Sequence, residues 1–283
     1  MNVGRIASLI FCLALFLTPL SARASSPLIL GVHPYLPVSE LMERFQPLAR
    51  YLETIVRRPV QVRVGLSYEE HIQHVQDHQV DIAFFGPASL IALLEKSKNL
   101  PILARLEMDG RPFFQGKIIV RQESSIAQLS DLVGKRFAFG DRQSTMSHLI
   151  PRHMLLKAGI TTDKLQRFQF LKNHNNVAMG VLSGDFDAGA VKEEVFEQFA
   201  SQGLRVLAST PNISEHAFIA RPDLPAQLII QLRSALLDLH KTQKGRNILI
   251  GIKKNITALV PANPSDYQNL QSILSDLKKA GIL

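Results

Sequence analysis

Short apolar runs alternate with longer amphipathic stretches along most of this sequence, and this alternation constrains the fold more than any other feature. In the first half, the pattern predicts strands at 28–32, 59–64 and 81–85 and helices at about 39–56 and 68–78. Strands that alternate with helices favour a mostly parallel sheet with helices on both of its faces. We therefore predict an α/β fold.

The second half repeats the alternation. The predicted strands are 117–120, 136–139, 168–171, 188–191 and 216–220. The predicted helices are 126–132, a segment from Ser144 that Pro151 must kink or bound, 176–183, 194–201, 225–242 and 265–280. No low-complexity linker separates the halves, so we expect two similar lobes that are crossed by more than one chain segment. In such sheets, solutes bind outside the carboxyl ends of the strands.

Residues 1–24 predict a secretory signal peptide. Arg5 precedes an apolar run at 6–17, and Ala-Arg-Ala at 22–24 offers a cleavage site before Ser25. The run is shorter than the roughly 20 apolar residues that a membrane-spanning helix needs. We therefore expect export to the periplasm, and a short N-terminal membrane anchor is the alternative.

The mature chain would lack cysteine and carry a positive charge. Cys12 is the only cysteine, and it lies inside the apolar run after bulky residues, which argues against a lipid anchor. Without Arg5 and Arg23, 30 basic residues remain against 24 acidic ones, a net charge of +6. A positive field favours the capture of anions. Nucleic acid is the other usual partner of a basic chain, but the basic residues are scattered and aromatic residues are few.

Several short segments, in order along almost the whole mature chain, carry a family resemblance. They are 31–34 (GVHP), 45–48 (FQPL), 80–87 (VDIAFFGP), 137–141 (FAFGD) with Ser144-Thr145, and 173–174 (NH) with 184–188 (GDFDA). Together they resemble the phosphate, phosphite and phosphonate binding proteins of ABC transporters.

The resemblance implies a type II periplasmic-binding-protein fold, with two crossing strands as the hinge. Lobe 1 would comprise 27–115 and 214–283, and lobe 2 would comprise 116–213. It further implies a monomer that traps a small oxyanion between its lobes, catalyses nothing, and passes the ligand to an ABC permease in the inner membrane. A sensor subunit that reports to a membrane kinase is the alternative with the same fold.

Ser144, Thr145 and Ser147 open a predicted helix directly after a strand. Free backbone N–H groups and the helix dipole make such a position an anion site. The alternative for Ser144 is a helix cap alone. Related receptors have Ser-Thr-Ser-Gly where this chain has Ser-Thr-Met-Ser at 144–147, so one hydroxyl is missing.

The resemblance also assigns roles outside this segment. It implies that His174 and Tyr68 contact the ligand and that Phe114 forms a wall without a hydrogen bond. It places Glu194 and Glu215 where related receptors bind the ammonium group of an aminophosphonate. The alternatives are a solvated loop for His174, a simple helix start for Tyr68 and a solvated, dipole-favoured helix start for Glu194.

Other chemistry finds less support in the sequence. His71, His74 and His78 have helical spacing, which suggests a metal site, but we expect them on an exposed face with no Cys or Glu to complete the ligands. The sequence has no His-Glu-x-x-His, Gly-x-Ser-x-Gly or phosphate-binding loop motif. We therefore predict a binding protein without metal or cofactor, and an enzyme with this fold is the remaining alternative.

Overall fold

The computed structural model describes residues 26–97 and 99–283, and the predicted signal peptide lies outside these ranges. The strands are β1 (Leu28–Val32), β2 (Val60–Val64), β3 (Ile82–Phe85), β4 (Ile102–Met108), β5 (Phe113–Phe114), β6 (Gly116–Arg121), β7 (Arg136–Phe139), β8 (Arg167–Phe170), β9 (Ala188–Lys192), β10 (Leu204–Ser209), β11 (Ile213–Ser214), β12 (Ala217–Ala220) and β13 (Ile256–Val260). The α-helices are α1 (Val38–Val56), α2 (Tyr68–Gln76), α3 (Pro87–Lys96), α4 (Ile150–Lys157), α5 (His174–Leu182), α6 (Glu193–Ala200), α7 (Ala226–Leu237), α8 (Gln243–Ile252) and α9 (Gln268–Lys279).

Two sheets flanked by helices form the centres of two lobes, which confirms the predicted α/β class. We call lobe 1 the elements around the six-stranded sheet, whose strand order is β13-β4-β12-β3-β1-β2. Lobe 2 comprises the elements around the five-stranded sheet, whose order is β10-β6-β9-β7-β8. In lobe 1, β1 pairs in parallel with β2 and β3, and in lobe 2, β7 pairs in parallel with β8 and β9.

The chain passes between the lobes through β5 and β11, which pair antiparallel with each other. Directly after the first passage, β6 inserts antiparallel between β9 and β10. Directly after the second, β12 inserts antiparallel between β3 and β4. Four of six strands in lobe 1 and four of five in lobe 2 run in one direction. The reversed strands are β6, β12 and β13. Strands β6 and β12 follow a crossing instead of a helix, so no crossover forces them parallel.

Close packing around β1 and a cap on α2 set the positions of the first residues of the site. A Cβ at Gly31 would lie 2.7 Å from a methyl carbon of Val80, so only glycine lets β1 approach this neighbour. The Ser67 side chain accepts a hydrogen bond from the backbone N–H of Glu70 and thereby caps α2. Tyr68, the first residue of α2, is buried by this arrangement.

Some local predictions differ from the structure. The helix predicted at 126–132 is only a single 3₁₀ turn at Leu129–Leu132, which ends before Gly134 at a φ of 69°. The segment after Ser144 begins as a π-helical turn, Thr145–Leu149, and continues as α4. Pro151 is the second residue of α4, and the wider π-helical turn lies directly before it, where its missing N–H interrupts the hydrogen bonding of the helix.

The sequence analysis missed α3, β4, β10, α8 and β13. Across 26–97 and 99–283, every helix is too short or too polar to cross a membrane.

Candidate functional site

A narrow cavity lies between the lobes at the carboxyl ends of strands from both sheets. Its volume is about 10 Å³, close to what a single water molecule requires. Lobe 1 lines it with His33, Tyr68, Gly86 and His216, and the crossing strand β5 adds Phe114. Lobe 2 lines it with Ser144, Thr145, Met146, His174 and Lys192. Strand ends of this kind are where open α/β sheets bind their ligands.

The hydroxyl groups of Ser144 and Thr145 both accept hydrogen bonds from backbone N–H groups. Ser144 Oγ accepts from the N–H of Ser147 at 3.2 Å, so this serine does cap the turn that follows it. Thr145 Oγ1 accepts from the N–H of Ala88 at 3.0 Å, and this bond joins lobe 2 to the first turn of α3 in lobe 1. Each hydroxyl keeps its own proton for donation, so capping does not exclude contact with an anion.

Ser147 lies outside the cavity. Its hydroxyl donates to the backbone carbonyl of Ala190 at 2.5 Å, and its side chain is fully buried. A Cβ at residue 140 would lie 2.4 Å from this hydroxyl, so Gly140 makes room for it. The hydroxyl is therefore committed to fixing the turn against β9, and the expected ligand contact of Ser147 stays a prediction that this geometry does not favour.

His174 is buried at the start of α5 instead of lying in a solvated loop. Its Nδ1 accepts a hydrogen bond from the backbone N–H of Lys192 at 3.0 Å. A backbone N–H can only donate, so Nδ1 holds the lone pair and the ring proton must be on Nε2. Burial, assisted by the charge of Lys192, lowers the pKa of His174 and keeps the ring neutral. Nε2 lies 3.5 Å from Ser144 Oγ, and it presents an N–H donor to the cavity.

Tyr68 and Phe114 line the cavity at the places that the resemblance implies. Burial raises the pKa of Tyr68, so its phenol keeps its proton and remains a donor. Phe114 offers only its ring, and it packs edge-on against His216 with ring centres 4.9 Å apart.

Five lining residues were not among the predicted site residues: Gly86, Met146 and three with ionisable side chains, His33, Lys192 and His216. His33 and Lys192 stand at the ends of β1 and β9, so the rule that ligands bind at strand ends could have found them. His216 had no such signal, because β12 runs in the reverse direction and this residue precedes the strand.

Glu194 already has two cationic partners. Its Oε1 lies 2.7 Å from Arg44 of α1, and its Oε2 lies 2.7 Å from the ammonium group of Lys192. Burial tends to raise the pKa of Glu194, but Lys192 and Arg44 lower it to about 2. Burial lowers the pKa of Lys192 to about 8 although Glu194 acts in the opposite direction. The Lys192 ammonium also lies 4.0 Å above the ring of Tyr35.

Glu215 is fully buried and lines neither the narrow cavity nor the wider cleft described below. Its Oε1 lies 2.6 Å from the Lys253 ammonium and its Oε2 lies 2.7 Å from Nδ1 of His216. Burial alone would raise the pKa of Glu215, but Lys253 and His216 hold it well below its usual range. An ammonium group of a ligand would have to displace the cations that Glu194 and Glu215 already bind, so the expected amine pocket stays a prediction.

A wider cleft of about 240 Å³ adjoins the narrow cavity. Phe114 and Lys192 line both spaces, whereas Glu194 and Lys253 line the cleft but not the cavity. The cleft thus has a lining of mixed charge and meets the cavity at the Phe114 ring and the Lys192 ammonium group.

The expectation of an exposed face for the three spaced histidines is wrong for His71. This side chain is buried against Phe85, with ring centres 4.5 Å apart, because α2 turns this side towards the sheet. His78 is half exposed beyond the end of α2, with Nδ1 3.1 Å from Asp223. In the part of the chain that the structure describes, no three His, Cys, Asp or Glu side chains are grouped to hold a metal ion.

Comparisons with known proteins identify the family of this chain. The family described as "ABC transporter, phosphonate, periplasmic substrate-binding protein" matches residues 30–267. The chain is 24% identical over 275 residues to a probable ABC transporter phosphite binding protein, PhnD1, of Prochlorococcus marinus, covering 90% of this chain and 92% of that protein. It is 23% identical to the phosphonates-binding periplasmic protein of Escherichia coli, covering 88% and 78%.

A solved structure of PhnD1 from Prochlorococcus marinus in complex with methylphosphonate superposes with a TM-score of 0.81 at 22% identity. The superposition covers 90% of this chain and 98% of that one. At this identity the likeness shows the fold, which is the two-lobed type II periplasmic-binding-protein fold.

Proposed function

Because this chain belongs to the family of periplasmic substrate-binding proteins of phosphonate ABC transporters, we propose that it captures a small phosphorus oxyanion in the narrow cavity. A phosphonate, phosphite or phosphate ion would be held between the lobes and handed to an ABC permease in the inner membrane. The observation that carries the proposal is the Nε2–H of His174, a neutral donor fixed towards a cavity that both lobes line.

Four further donors surround the space in front of His174. The hydroxyls of Ser144, Thr145 and Tyr68 retain their protons, and Lys192 adds the positive charge. Hydrogen bonds to an ionised acceptor are about twice as strong as neutral ones, so such a ring of donors suits an anion.

We propose that the ligand carries no ammonium group. All four oxygens of Glu194 and Glu215 face cations or a histidine of this chain at 2.6–2.7 Å. In this role the two carboxylates are positioning residues, which hold Lys192 and His216 at the cavity without contacting the ligand. The simplest ligands of the class, methylphosphonate and phosphite, need no carboxylate partner.

The hydrogen bonding argues for binding without catalysis. Ser144 and His174 lie 3.5 Å apart and look like a nucleophile with its base. A base must accept the proton of the serine through a lone pair, but Nε2 of His174 already carries a proton because Nδ1 accepts from Lys192. This pair therefore lacks the tautomer that nucleophilic attack requires.

We propose that binding requires the lobes to open and close. The cavity has room for about one water molecule, so it neither admits nor holds a phosphonate while Thr145 remains bonded to Ala88 and Arg44 to Glu194. These contacts join the two lobes, which must part to admit the ligand and then close around it in a wider space. A ligand that bridges both lobes shifts the equilibrium towards closure by its differential affinity for the closed state.

The remaining assignments rest on the family and the sequence. We propose cleavage of the signal peptide after Ala24, a monomer in the periplasm, and a hinge at β5 and β11 that divides lobe 1 (27–115 and 214–283) from lobe 2 (116–213). The sensor alternative shares the fold and the cavity, and the family membership favours the importer.

Titration calorimetry of the mature protein tests the proposal with methylphosphonate, phosphite, phosphate and 2-aminoethylphosphonate. The variant His174→Phe removes the donor and should weaken binding about 10- to 100-fold, the effect of losing one hydrogen bond to a charged group. His148→Phe is the matched control, because His148 is a buried lobe 2 histidine that lines neither cavity. Failure of all four ligands to bind, or equal losses in both variants, would refute the assignment of the site.

A further inference from the structure

His33 presents an unpaired lone pair to the narrow cavity. The ring follows β1 and is almost fully buried. Its Nδ1 lies 3.0 Å from the carbonyl oxygen of Phe84. A carbonyl only accepts, so Nδ1 carries the ring proton and Nε2 carries the lone pair. Among the described residues, no atom forms a hydrogen bond with His33 Nε2.

His216 brings a second lone pair to the same place. Its Nδ1 donates to the Glu215 carboxylate at 2.7 Å, which leaves Nε2 of the neutral ring as an acceptor. The Nε2 atoms of His33 and His216 each lie 3.6 Å from the point that a Cβ at residue 86 would occupy. Gly86 therefore leaves open a space on which two acceptors converge, beside the donors of lobe 2.

Burial and the neighbouring side chains oppose protonation of the His33 ring, and only the hydrogen bond to the Phe84 carbonyl favours it. Burial lowers its pKa, and so do the neighbouring positive or potentially positive groups. The titratable groups that face the ring are His216, His71, Lys192, Tyr35 and Tyr68. None of these is an acid that ionises at neutral pH, so no neighbouring carboxylate favours an imidazolium, and burial outweighs the hydrogen bond to Phe84.

A buried acceptor without a partner is unfavourable, and it repels an oxygen that bears only lone pairs. An acidic O–H on the ligand satisfies it. We propose, on the premise of the proposed function, that the site selects an oxyanion that still carries one acidic proton, whose P–OH group donates to Nε2 of His33. The ligand class is then the monoanion of a phosphonate, phosphite or phosphate, and sulfonates are rejected.

Methylsulfonate is a sharp probe because it matches the methylphosphonate monoanion in shape and charge and lacks only the proton. Calorimetry at about pH 6, where methylphosphonate is mostly the monoanion, compares the two ligands on the wild-type protein. We expect methylphosphonate to bind at least about 30-fold more tightly, since the sulfonate leaves a buried acceptor unpaired. Affinities within threefold of each other would overturn the selection of a proton while leaving the oxyanion site standing. Failure of both ligands to bind would overturn the proposed function together with this inference.

The variant His33→Phe removes the acceptor and keeps a ring against Phe84. We expect methylphosphonate to lose affinity and methylsulfonate to lose little, so the ratio of the two affinities falls about tenfold. His71→Phe is the control. His71 is also a buried ring whose Nε2 lacks a partner within the described ranges, but it lines neither cavity. A ratio that stays unchanged in His33→Phe, or falls equally in His71→Phe, would refute the role of His33.

The pH dependence of the wild-type protein gives a second test that needs no variant. Methylphosphonate and trifluoromethylphosphonate differ in their second ionisation, because fluorine makes the second acid stronger. If the ligand supplies the proton, the pH above which affinity falls must be lower for the fluorinated ligand. Loss of the Lys192 charge also weakens anion binding as pH rises, but it acts on both ligands at the same pH. If the affinities for the two ligands fell at the same pH, the proposal would therefore be contradicted.

Discussion

Glu215→Gln should destabilise the protein strongly and affect all oxyanions alike. The carboxylate is fully buried, and its loss leaves the Lys253 ammonium, only 12% exposed, without its partner at 2.6 Å. Breaking a buried ion pair by removing one partner costs about 3 to 5 kcal/mol. At about 2 to 4 °C per kcal/mol, the melting temperature should fall by roughly 6 to 20 °C. The exposed pair of Glu95 with Lys278 provides the control, because Glu95→Gln should cost about 1 kcal/mol or less.

The difference in stability between the wild type and Glu215→Gln should depend on pH in a definite direction. The pKa of Glu215 is depressed in the folded protein, so its contribution to stability is present above the unfolded value of about 4.3 and is lost as pH falls through the folded value. Urea unfolding of the wild type and of Glu215→Gln should therefore give a constant difference near neutral pH that closes only in strong acid. Calorimetry of the folded variant should give equal changes for methylphosphonate and 2-aminoethylphosphonate. A loss confined to the aminophosphonate with unchanged stability would show that Glu215 binds an amine and would refute this reasoning.

Three other substitutions probe the remaining contacts. Ser147→Ala should lower the free energy of unfolding in urea by about 1 kcal/mol, the value of its hydrogen bond to Ala190, and leave ligand affinity unchanged by calorimetry. Thr145→Val removes the acceptor for Ala88, so small-angle scattering should show a larger radius of gyration without ligand, and an unchanged radius would count against the contact between lobes. Lys192→Met should weaken all oxyanions and abolish the part of the affinity loss near pH 8 that is common to methylphosphonate and trifluoromethylphosphonate, measured by titrations in matched buffers.

The alternation of strands and helices was enough to predict the architecture, because period and turn residues are local properties. The sequence could not predict that β6 and β12 insert as reversed strands. The direction of a strand after a crossing depends on the strands of the lobe that it enters. It missed α3 and β4, since each is mainly a short apolar run with little periodicity to separate helix from strand.

The residues of the site were partly predictable, because the ends of strands and the starts of helices are also local properties of the sequence. Ser144 stands where a strand gives way to a helix, so its place at the cavity followed from the fold, whereas His174 was proposed only through the family resemblance. The partners of Glu194 and Glu215 could not be foreseen, because Arg44 and Lys253 are distant in sequence and their pairing is a product of tertiary packing. The orientation of the His33 ring likewise depends on the carbonyl of Phe84 in a neighbouring strand.

A crystal structure of the mature protein grown with methylphosphonate tests the central claim most directly. The account predicts the phosphorus group in the narrow cavity between the lobes, with one oxygen about 2.7–2.9 Å from Nε2 of His174. A second oxygen should lie within hydrogen-bonding distance of Nε2 of His33, with the methyl group towards Phe114. Density for the ligand only in the wider cleft, or a bound oxyanion without contact to His174, would contradict it.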